Sequence, residues 1–422
     1  MQKANLLRGR IISLLFACFL LGSLEVLSWW IFPSEDRMGE ILSILKQDSV
    51  LFWRQRPNLN VIFQKVTVKT NSLGLRNKKV APRKAANVYR IVCLGASPTF
   101  GWGVNSHDTY PYKLRRLLAE KHGQQRQIEV INAGEIGYTS YQGLLFLKKE
   151  ILNLSPDLIT ISYVLNDVDK YRFYRSDGRS DKELSPKNKI LVTLENLLDK
   201  SNFFRRLKRI IVYNKGMAVK YFGEINDGIY SEARRVSPED YKMNLEAIIE
   251  TAVQNNVKIV LVKMPVNLSF PDEIAESLKA KADGHIISAL SYARVNEYDE
   301  AIRELKEAVE FNPYSSKAFY YLGIYSERKK KIKQAKGYFQ RAKEAELFQC
   351  GRLGKFYNET MEEVSHEKNI PLVDIVSTFK VFNRENGKYL FLDQIHDSIH
   401  PNALGHEIIA RAIYVLTNSV LF

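Results

Sequence analysis

Val88–Gly103 reads VYRIVCLGASPTFGWG. A run dominated by β-branched and apolar residues ends at Gly95, and a serine follows two positions on. Such a run, closed by a glycine turn, predicts a strand buried on both faces. Strands of that kind belong to parallel sheets covered by helices. The chain downstream keeps the same alternation. Thr109–Lys121 is an amphipathic helix with Leu114, Leu117 and Leu118 on one side, and QIEVIN (127–132) is a second strand. Ser140–Leu152 is a helix, and DLITISYV (157–164) a third strand. Ser237–Asn255 opens SPED, with an N-cap serine, proline at the first position and acids in the first turn. VKIVLVKM (257–264) and IPLVDI (370–375) are strands four and five, and Asn402–Val420 is a closing helix with Pro401 at its start. The expected class is α/β, a three-layer α/β/α parallel sheet of about five strands. Ligand sites in such sheets lie at the carboxyl ends of the strands.

The bulk numbers bound the partners. The chain has 422 residues and a net charge of +15, and its pI is about 9.4. The length accommodates two to three domains. The charge suits an anionic partner such as a membrane face. Basic residues are spread out, and runs such as Arg328–Lys333 read as solvated helix surface. No nucleic-acid module signature is present. The three cysteines, Cys18, Cys93 and Cys350, have neither CxxC nor metal-ligand spacing. Cys93 reads as a small core residue.

Ile11–Phe32 reads IISLLFACFLLGSLEVLSWWIF, with Glu25 its one acid. That length suffices to cross a bilayer. Trp29 and Trp30 sit at its far end, and Lys3, Arg8 and Arg10 precede it. The positive-inside rule places the N-terminus in the cytoplasm and the rest outside. No A-x-A cleavage site follows, so an uncleaved anchor is expected rather than a signal peptide. Residues 34–87 read as a polar connector, with strand-like alternation at Val66–Val68 and a turn at Asn71-Ser72 and Gly74. Asp167–Arg235 is a long charged insertion with a helical piece around Leu191–Val212, a lid or a substrate-facing element.

A repeat separates strands four and five. Ala301, Leu305 and Ala308 recur 34 residues later as Ala335, Phe339 and Ala342, with Pro313 at the turn between units. Phe319, Leu322 and Gly323 fill the early positions of the second unit. The spacing resembles the tetratricopeptide repeat (TPR), a helix–turn–helix whose small residues let helices approach closely. It covers about 282–349, with Ser288 and Ala289 departing from the large–small pair in the first unit. Two units fall below the usual minimum for independent stability, so packing on the host domain or on neighbouring helices is expected.

The chemistry-bearing residues stand at strand ends. Ser97 follows strand one, in GASPTFGWG. Gly137 follows strand two, in NAGEIGYTS, where a backbone N–H ahead of a helix can donate to a developing anion. Asn166 follows strand three, in LND, and its amide can point into the same space. Leu392–His406 reads LDQIHDSIHPNALGH, with Asp397 three residues before His400. Taken singly, each also fits ordinary turn, cap or helix-entry chemistry. His396 and His406 flank His400, while His107, His122, His285 and His366 have no acid–serine setting, and Asp374 reads as a cap at the end of strand five.

The order Ser, Gly, Asn, Asp-x-x-His resembles the SGNH (GDSL-type) hydrolase superfamily over about 88–264 and 351–418. The NSLGLR segment (71–76) resembles the lead-in of membrane-anchored bacterial members. The fold this implies is SGNH-like, that is, flavodoxin-like. The resemblance implies Ser97 as nucleophile, His400 as general base and Asp397 as its orienter. It implies the Ser97 backbone N–H, Gly137 and Asn166 as oxyanion donors, and no metal or other cofactor. The departures are Ala96 for the family's Asp, Pro98 after the nucleophile, and Leu165 for the Gly often found before Asn.

The expected organisation runs in five parts: 1–33, cytoplasmic tip and transmembrane helix; 34–87, connector; 88–281, first part of the hydrolase domain, with 167–235 inserted; 282–349, all-α TPR-like subdomain; 350–422, second part. The expected function is a membrane-anchored, periplasmic serine esterase acting on O-acyl bonds of a carbohydrate or lipid. The alternatives are an O-acetyltransferase modifying a cell-envelope polysaccharide and a TPR-bearing scaffold on an inactive hydrolase fold. The TPR-like part implies a protein partner.

Overall fold

The computed structural model describes residues 12, 13, 15, 16, 19–28, 41, 43–168, 180–201, 203–205, 207, 234–265, 274–393 and 399–421; of 343, 346–353, 420 and 421 only the backbone is described. The chain divides into two compact units, residues 1–53 with 186–216, and 54–185 with 217–422.

The larger unit is built on a five-stranded parallel sheet. Its strands are β1 (Val88–Gly95), β2 (Gln127–Gly134), β3 (Leu158–Ser162), β4 (Lys258–Lys263) and β5 (Leu372–Asp374), in the order β2-β1-β3-β4-β5. Every residue of β1, flanked by β2 and β3, is buried, which explains the unbroken apolar run. Gly95 and Gly134 are paired at the carboxyl ends of β1 and β2.

Eleven helices are described in this unit. The hydrolase part carries α1 (Ser97–Phe100), α2 (Tyr110–His122), α3 (Ser140–Phe146), α4 (Leu165–Val168) and α5 (Pro238–Gln254). Then come α6 (Glu276–Arg294), α7 (Tyr298–Phe311), α8 (Ser316–Arg328) and α9 (Ile332–Glu367), followed by α10 (Ile375–Asn386) and α11 (Ala403–Leu421). Leu114 and Leu118 of α2 join Phe379 of α10 and Ile409 and Ile413 of α11 in one core with Ile91, Cys93 and Val260 of the sheet. Burial pushes the Cys93 thiol up to about 12, so it is an inert packing group. Ser237 caps α5 through the Asp240 N–H, and Tyr241, Leu245, Ile248 and Ala252 are buried along one side of it.

Helices α6 to α9 enclose a second core. Ala282, Ala289, Ala301, Ala308, Ala318, Ala335 and Ala342 are buried in it beside Leu305, Phe319 and Phe339. Small side chains at these positions bring the helix axes close.

Several expected boundaries shift. The second helix, expected over 140–152, ends at Phe146 and continues through a π turn, Leu147–Ile151, and a 3-10 turn, Leu152–Leu154. The expected break at 349/350 falls inside α9, and so does Cys350. Tyr357, Met361 and Val364 are buried at helical spacing, so the same helix carries on into the host domain. Tyr357 donates to the Val236 carbonyl, and Asn358 to the Met264 carbonyl. The compact unit begins at Arg54, not at Val88. Part of the expected connector is an antiparallel hairpin, Asn60–Phe63 with Val66–Lys69, whose turn residues Gln64 and Lys65 both have positive φ. Pro401 precedes α11 rather than opening it: Phe391 and Pro401 form a β-bridge, and the Asn402 side chain caps α11 through the Leu404 and Gly405 N–H groups.

In the smaller unit, residues 19–28 are helical, Leu45–Asp48 is a strand and Lys189–Leu198 is a helix. Among the described residues, no helix is long and apolar enough to cross a membrane.

Candidate active site

The site lies at the carboxyl edge of the sheet. Ala96 is the N-cap of α1, with no side-chain cap bond, Ser97 is the first helical residue, and Pro98 fits the first turn because its missing N–H has no partner there anyway. The turn is held by other residues. The buried Arg76 guanidinium donates to the carbonyls of Phe100, Gly101 and Val104. Thr99 Oγ1 lies 2.9 Å from Ser162 Oγ and 3.1 Å from Tyr110 OH. Gly134 makes room for this helix: a Cβ there would lie 2.1 Å from the Phe100 nitrogen. Burial holds Arg76 down at about 10.

His400 Nε2 lies 2.9 Å from Ser97 Oγ, and both side chains are buried. This is hydrogen-bond reach for general-base chemistry. Leu392 N–H donates to the His400 carbonyl beside the 391–401 bridge, which anchors the His400 backbone. Trp102 stacks on His400, with ring centroids 5.0 Å apart and planes 11° apart. Phe63 packs edge-on against Trp102 at 4.8 Å. Asp397 and His396 lie outside the described residues.

The other side of the site is the loop after β2. Gly137 has φ +78°, a conformation that disfavours side-chain-bearing residues. Its carbonyl accepts from Arg235 Nη1 at 2.7 Å. Arg235 Nη2 also donates to Asp181 Oδ2 at 2.8 Å and Gln142 Oε1 at 2.9 Å, and Thr139 Oγ1 donates to Asp181. Arg235 and Asp181 are almost wholly buried. Asn166 donates one amide hydrogen to the Tyr138 carbonyl at 2.9 Å, so the loops after β2 and β3 are tied together. A carboxamide carries a second hydrogen that can serve an oxyanion.

Two buried acids support this loop. Glu135 accepts from Arg54 Nε at 2.8 Å and from the Gln55 N–H at 3.1 Å. Burial pushes Glu135 up to about 7, but donors on both oxygens favour its carboxylate form. Asp167 Oδ1 accepts from the Ser140 N–H at the start of α3 and from the Ser140 hydroxyl. Among the described residues its Oδ2 has no hydrogen-bond partner, and burial pushes the carboxyl up to about 7.

The other described histidines stand apart from this chemistry. His406 is buried in the fold: its Nδ1 accepts the Tyr110 N–H at 3.2 Å, and burial pushes it down to about 3. His122 pairs with Asn418, and His285 with Glu304. Asp374 caps α10 through the Ser377 N–H and pairs with Lys263.

The structure thus brings Ser97 and His400 into contact and places Gly137 and Asn166 on adjoining strand-end loops. Trp102, Arg76, Asp181 and Arg235 escaped the sequence reading. Arg76 closes the NSLGLR segment and Trp102 lies in the GWG turn, so both stood inside quoted blocks. Arg235, just before SPED, carried no signal.

The model of the GDSL-like lipase/acylhydrolase family matches residues 93–319. The match ends before His400, so that residue's placement rests on the geometry above. No curated protein matches the chain in sequence. Similar solved structures include LAE5, an alpha/beta hydrolase enzyme from the metagenome of Lake Arreo, at 14% identity, covering 78% of this chain and 95% of that one, TM-score 0.40. A catalytic mutant of Axe2, an acetylxylan esterase from Geobacillus stearothermophilus, is similar at 13% identity, covering 77% and 92%, TM-score 0.38. A lipase/acylhydrolase from Enterococcus faecalis is similar at 16% identity, covering 79% and 96%, TM-score 0.34. Likeness at this level carries nothing about substrate. The family match covers more than half of the chain, and the chain belongs to the GDSL-like lipase/acylhydrolase family.

Proposed function

We propose that the chain is a serine ester hydrolase working through an acyl-enzyme. The observation that carries this reading is the 2.9 Å hydrogen bond between Ser97 Oγ and His400 Nε2. A serine hydroxyl is a poor nucleophile until a base takes its proton, and His400 stands where that transfer occurs. Ser97 Oγ attacks the ester carbonyl while its proton passes to Nε2. The tetrahedral oxyanion takes hydrogen bonds from the Ser97 and Gly137 N–H groups and from the second amide hydrogen of Asn166; one such donor contributes roughly 3–4 kcal/mol to the barrier lowering. The imidazolium then protonates the leaving alkoxide. Water, deprotonated by His400, resolves the acyl-enzyme and restores Ser97. Asp397 is assigned by its Asp-x-x-His spacing as the group that fixes the imidazole tautomer.

The proposed substrate class is an O-acylated carbohydrate or lipid. The proposed location is the outer face of a bacterial cytoplasmic membrane, with residues 11–32 as a single-pass anchor. That reading rests on the apolar run, its Trp29-Trp30 end and the basic residues before it. Helices α6–α9 are proposed as a TPR-like protein-binding insertion, supported by the 34-residue recurrence and the buried alanines. The test of the enzyme is hydrolysis of a short-chain aryl ester by the full chain in detergent, compared with Ser97→Ala. Turnover that disappears in the variant supports the reading. An inactive parent whose Ser97 takes no fluorophosphonate would leave the scaffold alternative.

A further inference from the structure

Helix Lys189–Leu198 is built inside out. Ile190, Leu191, Leu194, Leu197 and Leu198 are 71, 64, 50, 58 and 48% exposed. At 100° per residue they form one stripe roughly 120° wide. The opposite side carries Val192, Asn196 and Asp199, and it is this side that packs inward. Asn196 fixes the orientation by bonding both ways to the backbone of one strand residue. Its Oδ1 accepts the Gln47 N–H at 3.0 Å, and its Nδ2 donates to the Gln47 carbonyl at 2.9 Å. The helix cannot roll its leucines inward without breaking both bonds. A stripe of this width, held outward, needs an apolar partner.

The same compact unit holds the proposed anchor. Phe19, Leu21 and Val26 are 73, 61 and 62% exposed on it. Glu25, the single acid of that run, accepts from Ser201 Oγ at 2.7 Å and from the Phe203 N–H at 3.1 Å, just past the end of the helix. The two apolar surfaces are therefore tied together. Lys189 and Lys200 bracket the helix and are exposed on one rim of the leucine stripe, while Glu195 on the other rim is half-buried and Asp199 is buried, so the exposed charge on the Lys189–Lys200 rim is cationic. Leucines on one side and lysines at the rim match a bilayer interface with anionic headgroups.

We propose that Lys189–Leu198 is a second membrane contact, lying in the lipid interface beside the anchor. The inference rests on the anchored reading above, and its test separates the two. Leu194→Trp and, independently, Leu191→Trp are made in the full chain and reconstituted in phosphatidylcholine–phosphatidylglycerol vesicles with and without bromine high in the acyl chains. Interfacial helices sit about 5–10 Å into the headgroup–acyl boundary, so the emission added by the new indole should fall to about half or less in the brominated vesicles. Of the chain's four tryptophans Trp53 and Trp102 are buried, so quenching of the unmodified chain reports on the anchor through Trp29 and Trp30. If the unmodified chain is quenched but the added emission is not, the helix proposal is wrong and the leucines face a protein or a second copy. If no indole is quenched in any protein, the anchored reading fails, and this one with it.

Discussion

The two sides of the candidate site are held by opposite means. On the base side, His400 lies flat against Trp102, which Phe63 supports edge-on. On the side proposed for the oxyanion, the Gly137 loop is gripped by the buried Arg235–Asp181 pair and flanked by buried Glu135 and Asp167. The apolar burial that holds these rings is non-directional and tolerates small shifts. A buried ion pair is not: removing one partner strands the other charge. The difference matches the tasks. In the proposed mechanism the imidazole tilts between serine and leaving group, whereas oxyanion donors act through preorganisation.

The largest effect should come from the base itself. His400→Ala should lower kcat by about 10⁴–10⁶-fold with the fold intact by circular dichroism. A loss of less than tenfold would remove His400 from the reaction. Next is Arg235→Met, which leaves Asp181 buried and unpaired. It should cost roughly 3–5 kcal/mol in urea unfolding. It should also lower kcat roughly 10–100-fold at nearly unchanged KM, because the proposed oxyanion donors on this loop would act mainly in the transition state. Adding Asp181→Asn should restore much of the stability but not kcat. Recovery of both together would make the pair purely structural.

Asp167 gives a pH signature. Its carboxyl is raised from 3.8 to about 7 by burial, so between those values the folded chain holds a proton that the unfolded chain has released. The stability it contributes is complete below about pH 4 and is lost as the pH rises through about 7, amounting to up to about 4 kcal/mol. Relative to Asp167→Asn, the parent should therefore lose stability from pH 5 to 8. A flat difference between their urea midpoints across that range would contradict the assignment. Trp102→Leu should have the smallest effect, lowering kcat severalfold and stability by roughly 1–3 kcal/mol. An effect as large as that of Arg235→Met would overturn the contrast between the two sides.

Much of this was legible in the sequence, for physical reasons. Continuous apolar strands separated by amphipathic helices have few foldings, and the five strands and their parallel order follow. Ser97, Gly137 and Asn166 could be read because each stands just past a strand end. The residues that hold the site could not. Arg235 and Asp181 lie in charged loops without periodicity, in a chain of 62 Lys and Arg, where an arginine normally reads as solvated surface. Their burial is a tertiary property. The α9 boundary was misplaced for a related reason: its apolar stripe changes partners from the second core to the host domain without interrupting the helix. Ala96 departs from the family's Asp, yet the bonds that hold this turn come from Arg76 and Thr99, which lie outside the tetrapeptide that any motif inspects.

The central claim is that Ser97, activated by His400, is the nucleophile. Exposing the full chain to a fluorophosphonate and locating the adduct by mass spectrometry tests it most directly. The account predicts one phosphonyl group on Ser97, absent from Ser97→Ala and formed far more slowly in His400→Ala. An adduct on another residue, or equal labelling of Ser97→Ala, would contradict it.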